Sequence, residues 1–172
     1  GAVIQKFVDA GLTFLVSTSF SKSFSLYGER VGALSVLCTD KAEAVKVLSQ
    51  LKITIRTNYS NPPIHGGSVV ATVLGTPELR AQWEVELAEM RDRIKTMRKT
   101  LVDGLKAAGV TQDMSFITQQ IGMFSYSGLT KDQMVRLRTE FGVYGTDTGR
   151  MCVAAMNSKN IDHVCRSVAA VV

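Results

Sequence analysis

Apolar residues recur three or four positions apart from Leu79 through Trp83, Leu87, Met90, Ile94, Met97 and Leu101 to Leu105. That spacing lines up one stripe of a helix of about eight turns and predicts core packing along it. Thr76-Pro77-Glu78 supplies the start, with an N-cap candidate, a proline in the first turn and then an acid; Gly104 and Gly109 mark the end. Ahead of this helix, Leu12 to Ser19 and Val31 to Cys38 predict two short buried strands bracketing a loop. Asp40 with Glu43 predicts a capping box for a helix running to about Leu51, and Ile53 to Gly67, with Asn58, Asn61, Pro62 and Pro63, predicts a loop or broken segment.

Beyond the long helix the pattern shortens. Ser115 to Ser127 predicts a strand pair or bent strand, and Thr130 with Gln133 opens an amphipathic helix through Phe141. Val143-Tyr144 and Met151 to Ala155 predict strands around a glycine-containing turn, and Ile161 to Val172 a closing helix. The expected organisation is therefore α/β: the end of a large α/β domain over residues 1–75, a long connecting helix over 76–109, and a small α+β C-terminal domain over 110–172.

Composition narrows the class. Of 172 residues, 45% are hydrophobic and 20% charged, as in a soluble globular protein, and no apolar run is long enough to span a bilayer. The net charge of +5 is dispersed. In its densest stretch Arg91, Arg93, Lys95, Arg98 and Lys99 alternate with Glu84, Glu86, Glu89 and Asp92, which predicts a solvated helix face rather than a nucleic-acid groove. Cys38, Cys152 and Cys165 are odd in number and show no C-x-x-C spacing, which points to a reducing, cytoplasmic setting without disulfides or a zinc site. His65 and His163 stand alone, so structural or surface roles are expected. The first residue is Gly1 rather than Met and no secretory signal is evident, so a processed, truncated or cleaved product is expected.

The candidate chemistry sits in Ser19-Phe20-Ser21-Lys22-Ser23-Phe24-Ser25-Leu26-Tyr27-Gly28-Glu29-Arg30-Val31-Gly32. Lys22 lies among hydroxyls with Arg30 eight positions on, an arrangement that suits a Schiff-base lysine beside a bound phosphate. A free lysine titrates near about 10.4, and burial or neighbouring positive charge lowers it toward reactivity. Arg30 can supply that charge and grip a phosphate with two parallel hydrogen bonds, and Ser19 and Ser21 can donate to the same group. Read without further context, the segment fits a surface lysine in a serine-rich loop better than a reactive one.

This run resembles the cofactor-lysine segment of the aspartate and aromatic amino-acid aminotransferases, fold-type-I enzymes that use pyridoxal 5′-phosphate. The pattern S-x-S-K-x-F-x-L-Y-x-E-R-V-G is matched at every fixed position. The resemblance implies that Lys22 bonds to the cofactor and shuttles a proton, while Ser19, Ser21 and Arg30 hold its phosphate. Two further segments continue it in family order. Ile55 to Pro63 implies that Arg56 reaches across a homodimer interface to the side-chain carboxylate of a dicarboxylic substrate, with Ser60 and Asn61 nearby. Gly149-Arg150-Met151-Cys152-Val153-Ala154 implies that Arg150 binds the α-carboxylate, with Phe124 of Gly122 to Gly128 lining the substrate site. Met151-Cys152 is closer to the aromatic branch. Thr148 and Ala155 depart from the usual serine and glycine.

The implied activity is ping-pong amino-group transfer between an aromatic or dicarboxylic L-amino acid and a 2-oxo acid, in a soluble homodimer without nucleic-acid or membrane partners. The family's pyridinium-pairing aspartate, its ring-oxygen asparagine and tyrosine, its stacking tryptophan and its glycine-serine phosphate turn have no counterpart here. The chain is thus expected to be the C-terminal part of a longer parent, with little turnover alone. Two alternatives remain at this point: a non-catalytic binding or dimerisation piece, and an acyl-serine hydrolase, because Ser19-x-x-Lys22 also fits S-x-x-K.

Overall fold

In the computed structural model, which describes residues 1–172, the chain divides into two compact units, Gly1–Glu84 and Val85–Val172. The first holds α1 (Ala2–Asp9), strands β1 (Leu15–Ser19) and β2 (Gly32–Val36), α2 (Lys41–Tyr59), α3 (Ile64–Gly75) and the start of α4 (Pro77–Ala107). β1 and β2 pair antiparallel from Leu15↔Val36 to Ser19↔Gly32, so the lysine segment closes a hairpin. Both strands were expected to be buried, and here the structure differs: most of their residues are exposed, with Leu15 at 64% and Leu34 at 50%. A two-stranded sheet can cover only what packs on it, and little of this chain does.

Asp40 caps α2, its carboxylate accepting the Glu43 amide at 2.8 Å, but the expected box is not closed: the Glu43 carboxylate accepts the Thr39 amide at 2.6 Å instead of the Asp40 amide. The helix then runs on to Tyr59, past the expected stop near Leu51. β-Branched residues at Ile53, Thr54, Ile55 and Thr57 weaken helix propensity without breaking it, and no proline intervenes before Pro62. The Thr54 and Thr57 hydroxyls donate back to the Gln50 and Ile53 carbonyls, which seats both side chains on the helix. Only residues 60–63 remain irregular before α3 begins behind Pro63. A Cβ on Gly66 of α3 would lie 2.9 Å from the Glu29 side chain and 3.1 Å from Val31, so the absence of a side chain lets this helix press on the end of the lysine loop.

The second unit contains the remainder of α4, a short α5 (Phe116–Gln119), β3 (Phe124–Tyr126), α6 (Lys131–Phe141), β4 (Arg150–Cys152), a 3-10 turn (Val153–Ala155) and α7 (Ile161–Val171). Its core joins Leu101 and Leu105 of α4 to Ile117, Met134, Leu137 and Val168. The apolar stripe of α4 is buried only toward this end, since Leu79 and Met90 are 40% and 45% exposed. α6 has the expected ends: Thr130 and Gln133 form a full capping box, and Gly142 closes the helix at φ 66°.

Three expectations in this unit are corrected. Residues 115–127 hold a helical turn and one short strand rather than a strand pair, because Ser115 and Met114 carbonyls take up the Thr118 and Ile117 amides locally. Val143-Tyr144 lies outside any strand, and β4 gives way to a 3-10 turn after Cys152. The basic stretch of α4 is not a uniformly solvated face: Arg98 is buried, and Arg93 donates to the Ala154 and Met156 carbonyls at 3.1 and 2.6 Å. The histidines sit at the surface as expected, His65 against Glu29 and His163 against the Phe141 carbonyl.

Candidate functional site

The lysine loop leaves β1 at Ser19 and returns to β2 at Gly32. Its first turn is closed by Phe24 donating to the Phe20 carbonyl at 3.1 Å, which lifts Lys22 out of line with the strand. An aromatic brace fixes that turn. The Phe20 and Phe24 rings meet edge-on at 5.4 Å, and Phe24 stacks on Trp83 at 4.7 Å and 18°. The Trp83 indole N–H donates to the Ser23 carbonyl at 2.8 Å, tying the loop to α4 from the residue next to Lys22. Such ring pairs add about 1 kcal/mol beyond their buried area.

On this frame the polar groups gather. Ser19 Oγ donates to Ser21 Oγ at 3.1 Å and accepts the Ser21 amide at 3.2 Å, and Ser21 is buried. Lys22 Nζ lies 5.1 Å from the centre of the Tyr27 ring, a cation–π contact, and the side chain is otherwise exposed. The burial expected to prime Lys22 is thus not provided within the chain. Arg30 donates from Nη1 to the Tyr27 carbonyl at 3.0 Å, so Tyr27 touches both cations through different groups.

Backbone strain concentrates here. The non-glycine residues at positive φ are Ser25 at 55°, Arg30 at 52° and Ser60 at 70°, two of them in the lysine loop and one beside Arg56. Each costs about 1 kcal/mol, and such strain clusters where a geometry is used.

Arg56 lies in the last turn of α2, not in a loop, and donates from Nη1 to Ser60 Oγ at 2.9 Å. Its hydrogen bond stays within its own segment and does not join it to the lysine loop.

In the second unit Arg150 opens β4 opposite Tyr126, and its guanidinium carbon lies 4.9 Å from the centre of the Phe124 ring. Gly149 sets the approach. Its φ is +84°, and a Cβ there would meet the Leu129 carbonyl at 2.9 Å, so a side chain would be strained twice over. Its own carbonyl accepts both the Ser127 amide at 2.9 Å and the Ser127 hydroxyl at 2.8 Å. Arg150 is exposed at the start of β4. The structure therefore groups Ser19, Ser21, Lys22 and Arg30 on one loop and Phe124 with Arg150 on one strand pair.

Trp83, Tyr27 and Arg98 escaped the sequence reading. Trp83 falls on the apolar stripe and looks like core, Tyr27 is a fixed position of the motif without a role of its own, and Arg98 is camouflaged among alternating charges. No three His, Cys, Asp or Glu side chains form a metal cluster, and all three cysteines are free. No hydrogen bond joins Ser19 Oγ to Lys22 Nζ. The Ser19 hydroxyl is directed to Ser21, which leaves the acyl-serine alternative without its nucleophile–base pair.

Residues 2–168 match the family model for aminotransferase class I and II. The aspartate aminotransferase of Pseudomonas aeruginosa is 59% identical over 167 residues, covering 97% of this chain and 42% of that protein. The aromatic-amino-acid aminotransferase of Escherichia coli is 52% identical over 168 residues, covering 98% of this chain and 42% of that protein. Among solved structures, the aromatic-amino-acid aminotransferase from Burkholderia pseudomallei, covalently bound to pyridoxal phosphate, superposes with a TM-score of 0.95 at 63% identity, covering 99% of this chain and 43% of that one. The chain spans less than half the length of these relatives.

Proposed function

The chain belongs to the class I and II aminotransferase family, and from that premise we propose that it serves as the lysine-bearing part of a longer pyridoxal-phosphate-dependent aminotransferase of the aspartate/aromatic type. The observation that carries this is the braced loop in which Lys22 directly follows Ser21 of the hydrogen-bonded Ser19–Ser21 hydroxyl pair and stands eight residues before Arg30. Two hydroxyls and a guanidinium are a donor set for a phosphate, and a primary amine alongside is what a phosphorylated aldehyde requires.

Bound there, pyridoxal phosphate would supply the aldehyde that takes up the substrate amine and an electron sink for the pair released at Cα. Arg30 and Ser19 hold its phosphate, with Ser21 supporting Ser19. Lys22 would act as the base, taking the proton from the substrate Cα and returning it to the former aldehyde carbon on the other side of the amino nitrogen. Arg150 holds the α-carboxylate with its planar fork, and Phe124 covers that fork from one side. Arg56, contributed by a second copy in a homodimer, holds the distal carboxylate of dicarboxylic substrates. An aromatic or dicarboxylic L-amino acid thereby gives up its amino group and leaves as a 2-oxo acid, and a second 2-oxo acid receives the group.

Residues 1–75 then form the end of the large cofactor domain, 76–109 the connecting helix and 110–172 the small α+β domain. The exposed apolar residues of the first unit, among them Phe7, Leu15, Leu34, Val45 and Leu48, support the presence of covering chain or subunit. Three free thiols support a cytoplasmic site, and no helix is long and apolar enough to cross a membrane. The test is amino-group transfer by the full-length protein, loaded with pyridoxal phosphate, from aspartate or phenylalanine to a 2-oxo acid. Transfer that needs the cofactor supports the reading; none with either donor overturns it.

A further inference from the structure

Arg98 is 2% exposed, and its guanidinium has no carboxylate partner. All its hydrogen bonds go to neutral acceptors. Nη1 donates to the Ile117 carbonyl at 3.1 Å and to Ser125 Oγ, and Nη2 donates to the Gly122 carbonyl at 2.6 Å and the Phe124 carbonyl at 2.8 Å. Burying a cation without an anion is costly, and an apolar side chain of similar size would fill the space at less cost. What the guanidinium adds is directional: a rigid planar fork that sets the positions of several oxygens at once.

Those oxygens belong to one short stretch. Gly122, Phe124 and Ser125 form the entry and body of β3, and Ile117 belongs to the helical turn before it. Gln120 completes the hold on the same strand. Its side-chain N–H donates to the Tyr126 carbonyl at 2.9 Å, and its side-chain oxygen accepts the Tyr126 amide at 2.8 Å, much as a neighbouring strand would. The other edge of β3 pairs with β4, placing Tyr126 opposite Arg150. β3 is thus fixed along its length, and its Phe124 ring lies against the Arg150 guanidinium.

We propose that Arg98 is a positioning residue for carboxylate recognition: by gripping Gly122, Phe124 and Ser125 it sets the Phe124 ring against Arg150 and so directs the Arg150 fork. The inference rests on the reading of Arg150 as the α-carboxylate arginine. Its test uses the full-length, cofactor-loaded protein and phenylpropionate, a carboxylate with no amine to react, titrated against the cofactor absorbance. Arg98→Lys is expected to weaken phenylpropionate binding about tenfold, because a point charge cannot hold the same set of acceptors. Cofactor occupancy should stay at the wild-type level. In an Arg150→Lys background, where the fork is already lost, Arg98→Lys should add less than about twofold.

A Kd for Arg98→Lys within twofold of wild type overturns the proposal, as does a full additive loss in the Arg150→Lys background, which would mark general packing. Should Arg98→Lys fail to fold, Ser125→Ala decides, since it removes one acceptor only: about threefold weaker binding supports the proposal and unchanged binding overturns it. Wild-type protein that neither binds phenylpropionate nor transfers an amino group would sink the aminotransferase reading itself. Wild-type transfer with unaltered Arg98 variants sinks only the positioning role.

Discussion

Phe124 and Arg150 are diagonal neighbours across the β3–β4 pair, with the ring centre 4.9 Å from the guanidinium carbon. Diagonal partners on a strand pair are normally too far apart for short side chains, but an aromatic ring and an arginine span the gap. Phe124 is 40% exposed, so the contact is only partly desolvated, and a cation–π contact of that kind contributes about 0.5–1 kcal/mol. Phe124→Leu in the full-length protein should therefore weaken carboxylate substrates about two- to fivefold in KM, with a smaller change in kcat. Unchanged KM for amino-acid substrates would remove Phe124 from the site.

Lys22 carries the heaviest expectation. Its amine is the group proposed both to hold the cofactor and to move the Cα proton, so Lys22→Ala should lower transamination by at least about 10²-fold. Borohydride reduction followed by intact-mass measurement should add the cofactor's mass to wild type and not to Lys22→Ala. A cofactor adduct on the variant, or near-normal transfer by it, would place the chemistry on another residue.

How far these assignments were legible in the sequence differs from residue to residue. Asp40 with Glu43, and Thr130 with Gln133 and Gly142, reveal helix ends because capping is local chemistry. Lys22 and its serines are equally local, since the loop is short and its hydroxyls bond within it. The extent of α2 was not legible, because Asn58 and the prolines that follow resemble a loop from well before the helix stops. Trp83 and Arg98 were missed for a common reason. Periodicity says which face of a helix a residue occupies, not what covers that face. The partners of these two residues, Ser23 and Phe24 for one and residues 117–125 for the other, lie far along the chain.

Arg56 gives a selective prediction. Its hydrogen bond to Ser60 holds it at the end of α2, beside the strained backbone of Ser60. If it receives a second carboxylate in the assembled dimer, Arg56→Ala should lower kcat/KM for aspartate at least about tenfold more than for phenylalanine. Equal losses for the two donors would count against that role.

Gly104 reverses an ordinary rule. Alanine in a helix interior is favoured over glycine by about 1 kcal/mol. A Cβ on Gly104, however, would lie 2.6 Å from Cys165 Sγ, inside a core where α7 packs on α4. Gly104→Ala should therefore destabilise the protein by about 1–3 kcal/mol, read as a lower denaturant midpoint. Cys165→Ala introduced together with it should recover part of the loss. A Gly104→Ala variant as stable as wild type would mean that α7 shifts freely.

Cys165 is also the thiol that responds to pH through the fold. It is buried at 4% exposure, and its Sγ–H points to the Leu101 carbonyl at 3.8 Å. Burial, with a smaller contribution from the Asp162 charge, pushes its pKa above the ordinary thiol value. The folded state thus holds this proton more tightly than the unfolded state does. Its contribution to stability is complete below the ordinary thiol pKa and is lost as pH rises through that value toward the folded one. Raising the pH across the thiol range should lower the melting temperature of wild type more than that of Cys165→Ala. In the native state a thiol reagent should label Cys38 and Cys152, which are half-buried, well before Cys165. Simultaneous labelling of all three without denaturant would show that the α4–α7 contact opens on its own.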